Sequence, residues 1–497
     1  MLDRRAFLAA GTSVLATLGA SPLQAQGAAV TRRSVRGMMA NDPDLAAMRR
    51  AVAAMKALPQ SDPRNWIRFA DVHRSFCPHG NWYFLPWHRA YLLSFERIVR
   101  ELSGKADFAL PYWNWTLDRA FPAAFAAGDR NSNPLFNARP GVENGLRLSD
   151  DMVGPQVISR VMMSPDFEAF GSARPRGQDS AAAQWQRTLG AKTELEFNPH
   201  DGVHQSVGGN FAVVDLSARD PIFFLHHANV DRLWSTWNAR GNANSPEPMW
   251  RNFAFNGNFP GLANVRVGDL ISTPALGYRY DDDDSPFAAD VPLPSGDPLT
   301  EKLRAYRQFE ARGLSRANTS RYRHTLATGD TIEVAAAEND RVASRERPLA
   351  VKVPLGRRLG DILGPGALVQ SGELGDRRYR RYVWAMIRDI EPPLDASTRV
   401  RVFANCTDLS PRTPVSDPTY ATSMAFFGSE HARHGAGGAS NGTSANGTSV
   451  CIDLTPSLAR MPSLHLDYLT VQLLPHCANA ETNVSNIRPR RMEIVIL

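Results

Sequence analysis

The sequence predicts two domains, a mainly α-helical one followed by a β-rich one. Between about 40 and 280, apolar residues recur at spacings of three and four, as in amphipathic helices. The clearest of these stretches are 44–57, 88–102 and 226–238. Further on, short alternating apolar stretches predict an antiparallel sandwich or barrel. They lie at 349–355, 379–389, 398–404, 464–474 and 491–497.

A linker is expected between the two patterns. The stretch "LGYRYDDDDSP" at 276–286 ends the helical periodicity with an acidic run and a proline. One more helical stretch follows at 301–313. We therefore expect domains at 28–285 and 346–497, joined by a linker region at 286–345. A chain of 497 residues is long enough for both.

Residues 1–27 are predicted to be an export signal. Arg4 and Arg5 precede an apolar run that ends near Pro22, and small residues follow. This layout is typical of a twin-arginine signal peptide that is cleaved near 25–28. No other stretch approaches the roughly 20 apolar residues of a membrane span. We therefore expect a periplasmic or secreted protein without a membrane anchor.

Composition narrows the function further. The formal net charge is +6, and the basic residues are scattered singly along the chain. Nucleic-acid binding would need a basic stripe with a recognisable motif, so we predict no nucleic-acid partner. The four cysteines do not indicate a disulfide scaffold. One disulfide among Cys406, Cys451 and Cys477 is compatible with the sequence, which does not choose the pairing.

Two groups of histidines mark the helical part, where seven of the 12 histidines fall between 73 and 227. His200 and His204 stand four apart, so on a helix they share one face and can bind one metal ion together. His227 comes from a later helix. Asp231, four residues beyond it, is placed to accept the second N–H of that ring.

The other group consists of His73, His79 and His88. Three imidazoles with no thiolate or carboxylate suit copper, zinc or iron, and spacing alone does not select one of them. Such a site leaves a coordination position open for a small ligand. Two of these sites face to face could hold O2 between two metal ions.

The segments around these histidines resemble a known family. "HGNWYFLPWHRAYLLSFE" and "DPIFFLHHANVD" are similar to the two copper-binding signatures of tyrosinases, catechol oxidases and haemocyanins. "GYRY" at 277–280 resembles the tyrosine motif that closes their catalytic domain. The resemblance covers 37–285 and implies a four-helix bundle around a type-3 centre of two copper ions. By this resemblance the ligands would be His73, His79 and His88 for copper A, and His200, His204 and His227 for copper B, with His226 outside the ligand set.

The resemblance also implies a thioether between Cys77 and His79. Many members, including fungal tyrosinases and molluscan haemocyanins, carry this bond at the same C-x-H spacing. The alternative is a buried thiol. An intact mass lowered by the lost hydrogens would support the bond, and a Cys77 that alkylates after denaturation would exclude it.

The family oxidises o-diphenols to o-quinones with O2, and tyrosinases also hydroxylate monophenols. Hydroxylation requires deprotonation of a phenol whose free pKa is about 10. Glu196 matches the family's acidic residue that holds a water near copper B. Asp201 stands where tyrosinases often have asparagine and plant catechol oxidases frequently have glycine. We expect Glu196 and Asp201 to assist the deprotonation.

Two further positions concern the substrate. Val214 aligns with a phenylalanine gate of many plant enzymes, so a valine predicts an open approach to copper A; an ordinary packing role is the alternative. Gln205 is expected to touch substrate at the rim. Phenols and O2 are the expected partners.

Other functions are compatible with the histidine groups. A catechol oxidase would lack significant hydroxylation. An oxygen carrier resembling haemocyanin would bind and release O2 at the same ions, although such carriers generally occlude the site and form very large oligomers. A zinc hydrolase would need a carboxylate or thiolate pattern that the two groups lack.

The β-rich part resembles, more loosely, the shielding domain of latent plant and fungal polyphenol oxidases, most clearly in "SMAFFGSEHARHG" at 423–435. In those enzymes a residue of the shielding domain projects into the copper pocket and blocks it. We expect Phe426 or Phe427 to do so here, although adjacent phenylalanines are more often core residues. His431 and His434 are candidates for carrying copper.

Overall fold

A helical domain and a β-sandwich make up the computed structural model of this chain. The structure describes residues 29–164, 166–174, 191–255, 259–282, 298–311, 320–363, 368–371, 376–379, 381–391, 393, 398–427, 447–461, 466–477 and 484–497. The predicted export signal at 1–27 lies outside these ranges, as do His431 and His434.

The long helices begin and end at residues suited to those positions. Side-chain oxygens of Asp42 and Asn65 cap the first two helices, and Pro43 occupies the first helical position of one of them. Gly104 ends the third helix at φ 73°. The helices are α1 (Pro43–Ala57), α2 (Trp66–Phe76), α3 (Phe84–Ser103), α4 (Asp201–Val207), α5 (Ile222–Ala239) and α6 (Pro298–Ala311).

The other α-helical segments have four to eight residues each. They are Ala123–Ala126, Pro140–Glu143, Asp150–Val153, Pro155–Met162, Phe167–Phe170, Val214–Ser217, Pro248–Arg251, Leu359–Ile362 and Thr455–Leu458. The helices predicted at 44–57, 88–102 and 226–238 are α1, α3 and α5. Within the described part of the chain, no helix is both long and apolar enough to cross a membrane.

Two antiparallel sheets form the C-terminal domain. The chain contains β1 (Val30–Arg32), β2 (Ala254–Phe255), β3 (Val265–Arg266), β4 (Tyr278–Tyr280), β5 (Arg321–Thr325), β6 (Thr331–Glu338), β7 (Leu349–Pro354), β8 (Leu368–Ser371), β9 (Asp376–Tyr379), β10 (Val383–Ile390), β11 (Thr398–Ala404), β12 (Tyr420–Met424), β13 (Thr448–Asp453), β14 (Tyr468–Cys477) and β15 (Arg491–Ile496). One sheet has the strand order β13-β10-β15-β6-β5 and the other β12-β11-β14-β7. Val351, Val402 and Ile494 belong to the buried core that strands of both sheets build. The predicted fold class, a helical domain followed by a β-sandwich, is confirmed.

The predicted linker at 286–345 is partly wrong. Strands β5 and β6 lie within it, and β6 pairs with β15 in the five-stranded sheet. Helix α6 packs Leu303 and Phe309 against Ile332 and Trp384 of that sheet. The β-rich domain therefore takes in residues well before 346. The strand predicted at 379–389 is β10, which spans Val383–Ile390.

A buried network of charges closes the helical domain around the site. Strand β1 pairs in parallel with β4, and Arg32 of β1 forms an ion pair with Glu96 of α3 at 2.9 Å. Asp231 of α5 accepts hydrogen bonds from Arg32 at 3.1 Å and from the hydroxyl groups of Tyr278 and Tyr280 at 2.8 and 2.5 Å. All of these groups are buried. The network joins β1 and β4 to α3 and α5, the two helices that carry His88 and His227.

Candidate metal centre

Six buried histidines come together in two groups, as the sequence predicts. The first group is His73 on α2, His79 in the following loop and His88 on α3. The second is His200 at the end of a π-helical turn, His204 on α4 and His227 on α5. We call this turn, Glu196–His200, the copper B turn. A π-helical turn is rare and is frequently found at functional sites.

Hydrogen bonds fix which ring nitrogen carries the proton. Nδ1 of His88 donates to the carbonyl oxygen of Phe84, and Nδ1 of His204 donates to that of Phe211, both at 2.7 Å. Since a carbonyl oxygen only accepts, Nε2 of each ring keeps its lone pair. These two rings therefore present the nitrogen that a metal ion binds.

His200 is held by a carboxylate instead. Its Nδ1 donates to Oδ1 of Asp201 at 2.8 Å, which again leaves Nε2 unprotonated. A carboxylate in this position orients a ligand ring and makes it a stronger donor. Burial lowers the pKa of His88 to about 3 and the pKa of His200 well below its usual range. Both rings are therefore neutral, as metal binding requires.

The residues present fit a pair of metal ions. Among the described residues, the potential ligand atoms of each group lie within 4.8 Å of one another. Nε2 of His79, His88 and His200 is buried with no hydrogen-bond partner. Burying an unpaired polar atom costs free energy, and a bound metal ion would remove that cost. Three neutral imidazoles per ion, without thiolate or carboxylate, are a donor set that suits copper.

His226 lies among the copper B histidines, but its hydrogen bond argues against ligation. Nδ1 of His226 accepts from the indole N–H of Trp115 at 3.1 Å. A neutral ring that accepts at Nδ1 carries its proton on Nε2, which therefore cannot bind a metal. Nε2 of His227 instead lies 3.4 Å from Nε2 of His204. This favours His227 as the third ligand, in line with the sequence.

The predicted role of Asp231 is wrong. Among the described residues, Nδ1 of His227 has no hydrogen-bond partner, and Asp231 bonds to arginine and tyrosine side chains of the network that closes the domain. The ring of His227 is held by packing, since it stacks on His88 at 4.2 Å between centroids and lies at the same distance from Phe223. Spacing along the helix identified a carboxylate near the ring but not its partners.

Glu196 and Asp201 are brought together by a buried lysine that the sequence analysis missed. Nζ of Lys192 lies 2.6 Å from Oδ2 of Asp201 and 3.6 Å from Oε1 of Glu196, and Lys192 is only 2% exposed. Both oxygens of Glu196 accept from the amide of Gly80, at 2.7 and 2.9 Å, so this side chain ties the His79 loop to the copper B turn. The scarcity of lysine and the position of Lys192 four residues before Glu196 were the available signals.

Burial acts on all three charges. It raises the pKa of Glu196 and of Asp201, while the ammonium group of Lys192 opposes that rise in both carboxyls. The two carboxylates in turn raise the pKa of Lys192 above its usual value although burial alone would lower it. Lys192 is therefore a protonated counter-ion at neutral pH.

Of the two residues expected to meet substrate, one is half-buried and the other is a core residue. Gln205 is half-buried on α4, and its Oε1 has no hydrogen-bond partner. Val214 is 3% exposed and belongs to the core of the helical domain. Their roles toward a phenol stay predictions.

Cys77 is buried at the end of α2, two residues before His79. The thioether between these side chains stays a prediction. All four cysteines lie in described ranges, and no disulfide joins any of them there.

The two adjacent phenylalanines of the β-sandwich go to different places. Phe427 enters the histidine site, where its ring stacks on His204 at 3.9 Å and meets His79 and His200 edge-on at 5.5 and 5.6 Å. Phe426 lies in the core of the β-sandwich. Phe427 thus contacts histidines of both groups and fills the space beside them.

Two facing groups of three histidines in a helical core are typical of dinuclear copper proteins. The family model "Common central domain of tyrosinase" matches residues 51–145 and 129–240. The polyphenol oxidase of Malus domestica is 31% identical over 293 residues, which are 49% of this chain and 47% of that protein. Tyrosinase HcTyr1 of Hahella sp. is 30% identical over 50% of this chain and 63% of its own length. Residues 51–240 of the chain therefore match the central domain of the tyrosinase family.

The alignments span about half the length of the plant relatives. The (+)-larreatricin hydroxylase of Larrea tridentata, for example, is 30% identical over 52% of this chain and 50% of that enzyme. Solved structures cover more of the chain. Latent apple tyrosinase matches 95% of this chain and 98% of its own, at a TM-score of 0.63 and 22% identity, and a latent aurone synthase matches 95% and 91%, at 0.63 and 20%. These likenesses show that the two-domain fold is shared.

Proposed function

We propose that the protein is a type-3 copper polyphenol oxidase that converts o-diphenols to o-quinones with O2. The observation that carries the proposal is the convergence of six buried imidazoles in two groups of three, of which His88, His200 and His204 present an unprotonated Nε2. Relatives named tyrosinase and polyphenol oxidase support it. Phenols and O2 as partners, and export by the twin-arginine route to the periplasm or medium, are part of the same proposal.

The chain's own residues would hold and orient the reactants. Two bound copper ions would supply O2 binding and electron acceptance from the phenol. His73, His79 and His88 would hold one ion, and His200, His204 and His227 the other. Glu196 is the candidate to hold a proton, because burial raises the pKa of its carboxyl and makes the carboxylate a stronger base.

Copper-loaded protein, assayed on a catechol and its matching monophenol before and after limited proteolysis, tests this function. We expect two copper ions per chain and quinone absorbance from the catechol. Zinc in place of copper after anaerobic metal analysis, or no quinone even after proteolysis, would contradict the proposal; the second result would favour a carrier resembling haemocyanin.

We propose further that Asp201 and Glu196 support hydroxylation of monophenols, as in a tyrosinase. One observation favours a catechol oxidase instead: both oxygens of Asp201 are already engaged, by His200 and by Lys192. A carboxylate that is paired with a cation is a weaker base toward a substrate proton. The two candidates differ in what the loss of Asp201 does.

Asp201→Gly is expected to lower monophenol hydroxylation relative to diphenol oxidation by about a hundredfold, the lower end for a general base. The measured quantity is the ratio of the two rates at equal copper content. Asp201→Asn, which keeps an acceptor for the His200 ring, is the control for loss of ligand orientation. An unchanged ratio in Asp201→Gly would contradict the role, and a wild-type protein that hydroxylates no monophenol would be a catechol oxidase.

We propose finally that the β-sandwich keeps the enzyme latent, with Phe427 as the residue that blocks access. Its ring is 1% exposed and lies against histidines of both groups. Arg399 of β11 strengthens the docking, because its guanidinium donates to Ser206 and to the carbonyl oxygen of Gly202 on α4. Proteolysis or another displacement of this contact would open the site.

A further inference from the structure

The two domains exchange phenylalanines beside the copper B turn. Phe427 of the β-sandwich is packed in the core of the helical domain. Phe197 of the helical domain is fully buried in the core of the β-sandwich. Phe197 lies between Glu196 and His200 in the sequence. The turn that presents a copper ligand is therefore anchored in the other domain.

Main-chain hydrogen bonds fasten the same segment. The amide of Lys192 donates to the carbonyl oxygen of Ser449 at 3.0 Å, and the amide of Cys451 donates to the carbonyl oxygen of Lys192 at 2.9 Å. The amide of Ala425 donates to the carbonyl oxygen of Phe197 at 2.8 Å. The segment 192–197 is thus bonded at its first residue to β13 and at its last residue to the residue that follows β12.

A side-chain contact adds to these bonds. The hydroxyl of Thr422 on β12 donates to Oε1 of Glu194 at 2.8 Å, and Arg160 of the helical domain binds the same carboxylate at 2.6 Å. The segment before the copper B turn is therefore held by both domains.

The copper B turn gains little stability from its own backbone. Its π-helical geometry is intrinsically rare, and Pro199 within it has no amide to donate. Outside anchors must hold such a turn in one conformation. Among the described residues of the turn, Phe197 is the one whose side chain enters the β-sandwich core.

We propose that Phe197 is a positioning residue for copper B, which holds His200 and Glu196 in place by its anchor in the β-sandwich. The sandwich then builds the site as well as covering it. The inference rests on the proposed function in so far as it assigns His200 to copper.

Hydrogen exchange of the full chain without metal tests the anchor. In Phe197→Ala, amides of 196–204 are expected to exchange about tenfold faster or more, because the turn opens locally at lower cost. Phe403→Ala is the matched control, since Phe403 is equally buried in the β-sandwich but packs with Tyr420 and Leu474 in a separate cluster. Phe197→Leu, which refills most of the space, should restore slow exchange.

Copper content gives a second readout. Phe197→Ala is expected to fall from two copper ions per chain toward one, while Phe403→Ala keeps two at a comparable loss of melting temperature. Equal exchange at 196–204 in both alanine variants, or two retained ions in Phe197→Ala, would overturn the proposal. If the wild-type chain binds no copper but amides of 196–204 still exchange faster in Phe197→Ala than in Phe403→Ala, the proposed function is refuted and the anchor is supported.

Discussion

Phe427→Ala is expected to raise catechol oxidation by the intact, copper-loaded protein by about tenfold or more. The ring lies nearly parallel to that of His204, at 3.9 Å and 13°, and meets His79 and His200 edge-on. While it is there, a phenol cannot occupy the same space. If fewer than about one tenth of the molecules have an open site, making the open state dominant raises the rate about tenfold or more.

Phe426→Ala separates unblocking from general loosening. Phe426 is the neighbour of Phe427 but packs in the core of the β-sandwich, so its loss should cost stability, about 3 to 5 kcal/mol for a buried phenylalanine, without opening the site. Both variants are assayed below their melting temperatures, and circular dichroism checks the fold. Equal activation in the two variants, or none in Phe427→Ala, would mean that this ring does not limit access.

The adjacent phenylalanines show what the sequence could and could not decide. It indicated that one of them meets the copper site but not which. Phe426 and Phe427, which follow β12, pack in different cores, one in the β-sandwich and the other in the helical domain. The choice depends on how the β-sandwich is docked on α4, which no local pattern encodes.

The convergence of the histidines was predictable for the opposite reason. Their spacings, four residues on one helix and conspicuous aromatic segments around the others, are local properties of the chain. The role of Asp231 was not local, because its strongest partners include Arg32, which lies 199 residues away in sequence. A carboxylate four residues from a histidine is a sound expectation only when no buried cation competes for it.

The missed hairpin of β5 and β6 has a similar cause. Strand β5 is an edge strand whose residues are almost all exposed, "RYRHT", so it shows no apolar alternation. Strand β6 is half-polar at one end and alanine-rich at the other. Neither strand can be distinguished from a linker by its sequence alone, because what makes them strands is pairing within the sheet.

Lys192→Met is expected to destabilise the metal-free protein by about 3 to 5 kcal/mol, the cost of removing one partner from a buried ion pair. The variant keeps Asp201 and Glu196 buried but removes the ammonium group that lies 2.6 Å from one and 3.6 Å from the other. It also removes the bond of 2.7 Å from Nζ to the carbonyl oxygen of Phe427. The melting temperature should fall by several degrees.

The same change should make stability depend on pH in a known direction. Burial already raises the pKa of Asp201 and Glu196, and without the cation both values rise further. A carboxyl whose pKa is higher in the folded state stabilises the fold at low pH and loses that contribution as the pH rises through the folded-state pKa. The deficit of Lys192→Met should therefore grow as the pH rises above about 4, the ordinary pKa of a carboxyl group in the unfolded chain.

Two comparisons decide whether the carboxylates cause this deficit. Adding Asp201→Asn to Lys192→Met removes the stranded charge, so it should recover part of the lost stability and flatten the pH dependence. Lys302→Met is the matched control, because Lys302 is similarly buried but faces Asp330, which is one-third exposed and can return to water. If Lys192→Met and Lys302→Met lose the same stability at every pH, Lys192 is not the counter-ion of the site.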